Sequence, residues 1–218
     1  MIARELREQM RARYPDEEGY VQRDGVRLFY EVYGEGEQTV LLLPTWSLVH
    51  SRHWKLQIPY LARHCRVVTF DGRGNGRSDR PPGAEEYSIR AFALDAVAVL
   101  DAVEAERAVL VGVSCAALWG VLVAAEHPER VAGAVFIGPA VGLAPPVPER
   151  TVHSFNEPLD TDEGWAKYNI HHWQRDYRDF LEFFLAKCFT EPHSTKQIED
   201  GVGWALETTP EVLADHDA

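Results

Sequence analysis

Residues 109–120 read Val-Leu-Val-Gly-Val-Ser-Cys-Ala-Ala-Leu-Trp-Gly. A β-forming apolar run ends there at Ser114, and a pattern that favours a helix begins directly after it. A serine at such a turn is held in a strained backbone conformation, which requires small residues two positions before and after it, here Gly112 and Ala116. The turn projects the hydroxyl above the sheet edge, and the amino end of the helix favours negative charge beside it. The stretch therefore predicts a nucleophilic Ser114.

Other short runs on both sides of this turn predict a sheet. Asp24-Gly25 separates two β-rich runs and predicts an antiparallel hairpin. Four apolar runs are typical of parallel strands covered on both faces, and they lie at residues 39–43, 66–70, 108–113 and 131–137. Helical patterns separate them: Trp54, Ile58 and Leu61 share one face, a second helix covers about 89–103, and a third begins after Ser114 and stops before His127-Pro128. The order predicts an α/β fold with a mostly parallel, doubly wound sheet and an N-terminal antiparallel hairpin.

The character of the chain changes near Gly142. Prolines cluster at residues 145–158, and an aromatic, helical stretch follows, from Trp165 to Phe184. It has helix periodicity and no further strand-like run. We therefore predict two units, a core at residues 1–143 and a helical lid or cap at residues 144–218, with the aromatic side chains forming the buried face of the lid or a wall of an apolar pocket.

Composition limits the classes of partner. The 218 residues are 45% hydrophobic and 26% charged, and 22 Lys and Arg against 34 Asp and Glu give a net charge of −12. This excess argues against nucleic acid and anionic membranes and favours a neutral or cationic small molecule. Three separated cysteines without metal-ligand spacing predict reduced thiols and no metal site, and we expect no cofactor. Residues 1–8 interleave acids and bases, and no apolar run approaches the roughly 20 residues that span a bilayer, so we expect a soluble, cytoplasmic protein.

Three stretches of the chain resemble the α/β-hydrolase fold superfamily. Residues 112–116, Gly-Val-Ser-Cys-Ala, are similar to its nucleophile elbow, with Ala116 in place of the commoner glycine. Residues 69–81 are similar to its D-x-R-G-x-G-x-S segment. Residues 42–46, Leu-Leu-Pro-Thr-Trp, followed by Trp54, stand where the superfamily has His-Gly-x and then a tryptophan.

The resemblance implies a serine hydrolase for small apolar esters, amides or lactones. It makes Ser114 the nucleophile and the backbone N–H groups of Cys115 and Trp46 the oxyanion hole, although Pro44-Thr45 replaces His-Gly in the loop that carries Trp46. The apex serine disfavours haloalkane dehalogenases and epoxide hydrolases, which have aspartate there. Haloperoxidase-like chemistry and acyl transfer remain open.

The superfamily places its catalytic acid and histidine after the seventh and eighth strands, and neither such strand is recognisable after residue 143. The resemblance thus covers the first two thirds of a hydrolase. We interpret His216, between Asp215 and Asp217, as part of a solvated terminus rather than as a triad base. Two alternatives follow: a non-catalytic, ligand-binding module of the same fold, or the amino-terminal part of a longer hydrolase that is inactive alone. An incomplete sheet also predicts self-association.

Other motifs favour structural roles. Cys115 lies one residue past the apex, so we expect only its backbone to function, rather than its thiol as a nucleophile. Residues 72–76 lack the glycine spacing of a dinucleotide site. His171 and His172 are adjacent on a helix and cannot face one metal. His50, His53 and His153 could face a cleft or the lid without belonging to a recognisable triad motif.

Overall fold

A computed structural model describes residues 12–140, 142–143, 145 and 148–217. The strands are β1 (Glu17–Arg23), β2 (Val26–Tyr33), β3 (Thr39–Leu42), β4 (Arg66–Phe70), β5 (Ala108–Val113) and β6 (Val131–Ile137). Their spatial order is β1-β2-β4-β3-β5-β6. The pairs β1–β2 and β2–β4 are antiparallel, and the pairs among β4, β3, β5 and β6 are parallel. The predicted fold class, a mixed sheet that begins with an antiparallel hairpin, is confirmed.

The hairpin turn has the backbone that its sequence predicts. Asp24 and Gly25 both have positive φ, 50° and 85°. Two successive positive values are typical of the type I′ turn, whose twist matches that of paired strands. Arg23 therefore pairs directly with Val26, and the register continues to Glu17 opposite Val32.

Apolar side chains cover both faces of the central strands. Leu41 and Val68 are fully buried in a cluster on one face, while their chain neighbours Leu42 and Val67 are fully buried in a second cluster on the other. Successive strand residues point to opposite faces, so continuous apolar runs are required where both faces are covered.

β6 differs from the expectation that its run is covered on both faces. Val135 and Ile137 remain 50% and 51% exposed. The reason is the position of β6 in the sheet: among the described residues it is the last strand in the order and pairs with β5 alone. An apolar run therefore predicted the strand correctly but not its burial.

The helices are α1 (Ile58–Leu61), α2 (Ile89–Ala102), α3 (Ala116–Glu126), α4 (Pro148–Thr151), α5 (Ile170–Arg175), α6 (Tyr177–Cys188), α7 (Thr195–Ala205) and α8 (Pro210–Asp217). α2 and α3 match the predicted helices within two residues. One helix was predicted from the shared face of Trp54, Ile58 and Leu61. The structure has two short elements there, a 3₁₀ turn at Ser51–Trp54 and the single turn of α1. Pro59, which has no N–H, prevents one continuous helix there.

Residues 148–217 contain helices and no strand among their described positions. Their aromatic side chains share one apolar cluster, in which Trp173 and Phe180 are fully buried with ring centroids 4.5 Å apart. Leu48, from the loop after β3, belongs to the same cluster. The helical segment thus packs onto the loop at the carboxyl end of β3.

Two sequence-based predictions fall on positions that are not described. Residues 1–11, which carry the expectation of no targeting signal, lie outside the described residues. So do positions 141, 144, 146 and 147 around the predicted boundary at 143/144. Within the described ranges, no helix combines the length and apolar character needed to cross a membrane.

A buried ion pair fixes α2 against the loop after β4. Asp95, fully buried on α2, accepts hydrogen bonds from Arg73 Nε at 2.8 Å and Nη2 at 2.9 Å. Arg23 Nε of β1 donates to the same carboxylate at 2.6 Å. Because Arg73 is 1% exposed, it depends on this carboxylate and on Glu86 for charge compensation.

We expect Asp95→Asn to lower the free energy of unfolding by about 3 kcal/mol, since it leaves a buried guanidinium without its principal counter-charge. The matched control is Asp101→Asn, which breaks the pair with Arg130 at a carboxylate that is 65% exposed. That change should cost under about 1 kcal/mol. Urea denaturation of both variants checks the difference, and equal costs would contradict the assigned role of the buried pair.

Candidate active site

Ser114 occupies the turn between β5 and α3. Its φ is 56°, in the left-handed region that a serine rarely adopts. Both of its backbone groups are bound: its N–H donates to Ile137 O at 3.0 Å, and its carbonyl accepts from Ala140 N at 3.2 Å. These bonds to the chain at and after the end of β6 hold the strained conformation.

Gly112 permits the sharp approach of strand and helix at this turn. A Cβ on Gly112 would lie 2.9 Å from Ala116 Cβ and 3.1 Å from the Ala116 carbonyl carbon. Distances under 3.0 Å require atoms to move, so position 112 demands glycine and position 116 a small residue. This is the physical basis of the Gly-x-Ser-x-Ala spacing.

The loop after β3 is fastened to the same turn. Leu43 N–H donates to Val111 O at 2.8 Å, and Thr45 Oγ1 donates to Val113 O at 3.0 Å. Trp54 Nε1 donates to Leu43 O at 2.9 Å from the other side of the loop. Thr45, which stands where the superfamily has glycine, thus ties the loop to the residue before Ser114.

The glycine-rich segment at residues 72–76 supports this loop. Asp71 accepts from Ser51 N at 3.0 Å, from Ser51 Oγ at 2.6 Å and from Arg77 N at 2.8 Å. Asn75 Nδ2 donates to Ser47 O at 2.7 Å. A Cβ on Gly76 would lie 2.3 Å from Asp71 Oδ2, which explains the glycine. These contacts give the segment a structural role, as its sequence predicts.

A cavity of about 530 Å³ lies above Ser114. Four regions contribute to its lining: the loop after β3 with Thr45, Trp46, Leu48, Val49 and His53; the segment leading into α2 with Tyr87 and Ile89; the turn and α3 with Ser114, Cys115, Leu118 and Trp119; and the helical segment with Arg150, Tyr168, Phe184, Leu185, Trp204, His216 and Asp217. The structure therefore brings Ser114, Cys115 and Trp46, the three sequence-predicted site residues, to one cavity. Its volume is in the range that small-molecule sites occupy.

Aromatic side chains from the loop and the helical segment meet in this cavity. The Trp46 ring lies 6.1 Å from Tyr168 and 5.3 Å from Phe184. The aromatic stretch from Trp165 to Phe184 thus supplies both a buried cluster and a cavity wall. Trp204, which no sequence motif marked, lines the cavity as well.

The Cys115 side chain contacts the serine. Ser114 Oγ lies 3.9 Å from Cys115 Sγ. Burial raises the pKa of the Cys115 thiol, so the thiol remains protonated at neutral pH and is a poor nucleophile. The backbone N–H of Cys115 lies at the N-cap of α3, where helix geometry leaves donors without intrahelical partners.

His216 is not in a solvated terminus, and that expectation is wrong. It lies on α8, lines the cavity, and stacks on Phe92 with ring centroids 4.7 Å apart. Loss of hydration lowers its pKa to about 4, so the ring is neutral at pH 7. Ser47 contacts Nδ1 of His216 through its backbone N at 3.2 Å and through its Oγ at 2.8 Å, so this nitrogen is held against the loop after β3.

The other histidines divide between structural and cavity positions. His172 Nε2 contacts Asp179 Oδ2 at 2.9 Å, and His171 Nε2 contacts Asn156 O at 3.0 Å, so the adjacent pair faces separate partners. Across the described part of the chain, no group of three or more potential ligand side chains could hold a metal ion. His53 does line the cavity, with its Nδ1 3.0 Å from His50 O.

Gly112→Ala should lower the free energy of unfolding by about 1–3 kcal/mol, because the new Cβ overlaps Ala116. Adding Ala116→Gly removes the nearest overlapping atom and should recover part of the loss. Gly133→Ala is the matched control, since its Cβ would meet its nearest neighbour at 3.9 Å. Denaturation of the three variants tests the constraint, and a Gly112→Ala variant as stable as Gly133→Ala would contradict it.

The lowered pKa of His216 predicts a pH dependence of stability. Because the folded state prefers the neutral ring, its full contribution is present above pH 6.5 and is lost as the pH falls from 6.5 towards 4. We expect His216→Gln to reduce the stability loss between pH 7 and pH 5 by about 1–2 kcal/mol. Urea denaturation at both pH values measures it, with exposed His64→Gln as the control. A pH dependence identical to wild type would contradict the neutral, half-buried ring.

Known proteins match parts of this chain. The 2-hydroxymuconate semialdehyde hydrolase of Pseudomonas sp. (strain CF600) is 41% identical over 97 residues, covering 44% of this chain and 34% of that protein. The bifunctional epoxide hydrolase 2 of Mus musculus is 29% identical over 207 residues, covering 88% of this chain and 35% of that protein. This chain thus spans about a third of the length of these two relatives.

A solved structure described as Est816, an N-acyl homoserine lactone degrading enzyme, has a TM-score of 0.69 and 28% identity to this chain. The match covers 91% of this chain and 70% of that chain. The family profile described as alpha/beta hydrolase fold matches residues 38–202, which include the loop after β3, the Ser114 turn and most of the helical segment. The chain therefore belongs to the alpha/beta hydrolase fold family.

Proposed function

We propose that this protein acts as a serine hydrolase on small, largely apolar esters, lactones or similar carbonyl compounds. The observation that carries the proposal is Ser114, held at a φ of 56° at the start of α3 and facing a cavity of about 530 Å³. A strained serine at a helix amino terminus, open to a cavity, is the arrangement that acyl transfer uses.

The oxyanion hole of the proposed reaction consists of the backbone N–H groups of Cys115 and Trp46. The bond from Thr45 Oγ1 to Val113 O at 3.0 Å supports the pairing, because it holds the residue before Trp46 against the residue before Ser114. Ser114 Oγ attacks the carbonyl carbon, and the two N–H groups stabilise the negative oxygen of the tetrahedral intermediate. The proton lost by the Ser114 hydroxyl passes to the departing alcohol, and water then hydrolyses the acyl-serine ester, which releases the acid and returns a proton to Ser114 Oγ.

The substrate class follows from the cavity walls and the relatives. Trp46, Tyr168 and Phe184 present apolar surface to the cavity, which suits an acyl chain or ring. The likeness to an N-acyl homoserine lactone degrading enzyme supports a lactone or ester. The likeness to an epoxide hydrolase carries less weight for the chemistry, because the apex of this turn is a serine and not a carboxylate.

We also propose that residues 144–218 act as a cap over this site. The apolar cluster of the helical segment includes Leu48 and contacts Trp46, both from the loop beside Ser114. A cap of this kind excludes water from the cavity and sets its shape, which strengthens the electrostatic interactions at the oxyanion.

A fluorophosphonate probe should label the wild-type chain at Ser114 and should not label Ser114→Ala, because the serine oxygen forms the bond to phosphorus. Intact-mass spectrometry and peptide mapping locate the adduct. Short-chain p-nitrophenyl esters should be hydrolysed by the wild type at least about 10³-fold faster than by Ser114→Ala. Cys115→Ala, which keeps the backbone N–H, is the matched control and should retain labelling.

A specific observation favours a second candidate, a ligand-binding module without turnover. The hydrogen-bond partner of Ser114 Oγ among the described residues is the Cys115 thiol, and Nδ1 of His216 contacts Ser47. Binding of an apolar compound with no labelling at Ser114, and equal ester hydrolysis by wild type and Ser114→Ala, would replace the hydrolase with this candidate.

A further inference from the structure

The described lining of the Ser114 cavity contains one side chain that is cationic at neutral pH, that of Arg150. Arg150 lies on α4 and is exposed, so a ligand in the cavity can reach it. The two histidines of the lining, His53 and His216, are neutral at pH 7, because loss of hydration lowers the pKa of each to about 4. Arg150 is therefore the positive charge that a ligand would meet there.

Aromatic rings hold the guanidinium of Arg150. Its central carbon lies 4.3 Å from the centre of the Tyr168 ring and 5.7 Å from that of Trp165. No carboxylate among the described residues forms an ion pair with it. A guanidinium that stacks on aromatic faces keeps the N–H groups at its edge for another partner. The cavity thus presents a positioned cation that lacks an acidic counterpart.

The cavity also contains a carboxylate, but this group has a different partner. The Tyr168 hydroxyl donates to Asp217 Oδ1 at 2.6 Å. Tyr168 therefore stands between the two charges, with its ring on Arg150 and its hydroxyl on Asp217. A nearby negative charge disfavours a dianionic ligand such as a phosphate monoester more than a monoanion. The pair of charges thus favours a singly charged anion at Arg150.

The charge of Arg150 also acts on the turn that carries Ser114. Burial raises the pKa of the Cys115 thiol, and the positive charge of Arg150 opposes that rise. The same opposition occurs at Cys188, which lines the cavity from the end of α6. An anion bound at Arg150 would therefore share the cavity with the reacting group rather than occupy a separate surface.

We propose that Arg150 binds a carboxylate of the substrate. A planar carboxylate accepts two N–H groups from one guanidinium, which fixes its orientation as well as its charge. The apolar walls at Trp46 and Phe184 contact the carbon chain between that carboxylate and the scissile carbonyl. The inference rests on the proposed function and narrows its substrate class to esters or lactones that bear a carboxylate elsewhere in the molecule. Arg150 determines specificity and takes no part in bond breaking.

The test measures binding, so that it does not depend on turnover. The ligands are methyl ketones, which cannot be hydrolysed: 5-oxohexanoate, 7-oxooctanoate and 9-oxodecanoate, each paired with its neutral primary amide. They are titrated into the full chain by isothermal calorimetry at pH 7. We expect the carboxylate to bind about tenfold more tightly than the amide in at least one pair, because charge-assisted hydrogen bonds are the stronger ones. A carboxylate that binds no more tightly than its amide in every pair, or no measurable binding of any compound, would overturn the proposal.

Substitutions at position 150 assign the preference to the guanidinium. Arg150→Gln should reduce the preference to about twofold or less and leave the affinity for the amide within about twofold of wild type. Arg150→Met, which keeps an unbranched stem over Tyr168, should give the same result. Arg150→Lys should retain part of the preference, because an ammonium keeps the charge without the planar fork. An equal loss of affinity for carboxylate and amide in the Gln and Met variants would mean that Arg150 only shapes the cavity, and would overturn the assignment.

A matched control separates a local contact from the charge of the whole protein. Arg178, on α6, is 61% exposed, pairs with Glu182 and does not belong to the cavity lining. Arg178→Gln removes the same charge and should keep the full carboxylate preference. Loss of the preference in this variant would place its origin outside the cavity and contradict the proposal.

The outcomes distinguish this inference from the proposed hydrolase. Ser114→Ala should keep the carboxylate preference, because the serine does not contact the bound carboxylate. Fluorophosphonate labelling without a carboxylate preference would reject the role of Arg150 and leave the hydrolase intact. A carboxylate preference without labelling would reject the hydrolase and leave a binding site for carboxylate ligands.

Discussion

The left-handed backbone of Ser114 is the constraint on which the rest of the site depends. A φ of 56° costs an L-residue about 1–2 kcal/mol, and it persists only where surrounding contacts determine it. Here the Ser114 N–H and C=O are bound to Ile137 O and to Ala140 N. Gly112 lets the helix approach closely enough for that geometry. The strain therefore belongs to the junction of two strands and a helix rather than to one residue.

One consequence concerns β6, the exposed edge strand. It contributes little burial of its own, since Val135 and Ile137 are half exposed. Its carboxyl end nevertheless supplies the carbonyl that holds the Ser114 N–H. The parallel pairing of β5 and β6 thus sets the position of Ile137. β6 therefore helps to position Ser114 although it buries little apolar surface.

The sequence predicted elements whose signals are local. The Asp24-Gly25 turn, the apolar runs and the small residues around Ser114 each carry their reason within a few residues, and the structure has all of them. The failures involve distant contacts. His216 looked solvated because its neighbours are acidic, yet its ring packs on Phe92, more than 120 positions earlier. Pro44-Thr45 replaces the superfamily's His-Gly, and the sequence did not reveal that Thr45 binds Val113. No local sequence motif marked Trp204, which lines the cavity from α7 with its ring 5.7 Å from that of His50.

The net charge of the whole chain does not describe the charge of the cavity. A net charge of −12 suggested a neutral or cationic ligand. The cavity, however, is lined by one arginine, Arg150, and one carboxylate, Asp217, among otherwise uncharged described residues. Tyr168 contacts both, with Arg150 4.3 Å from its ring centre and its hydroxyl donating to Asp217 at 2.6 Å. The excess of acidic residues therefore lies outside the cavity, where it affects the solubility of the protein and the rate at which charged molecules approach it. Selection inside the cavity depends on the apolar walls and a few polar atoms, because those are the groups a ligand would meet.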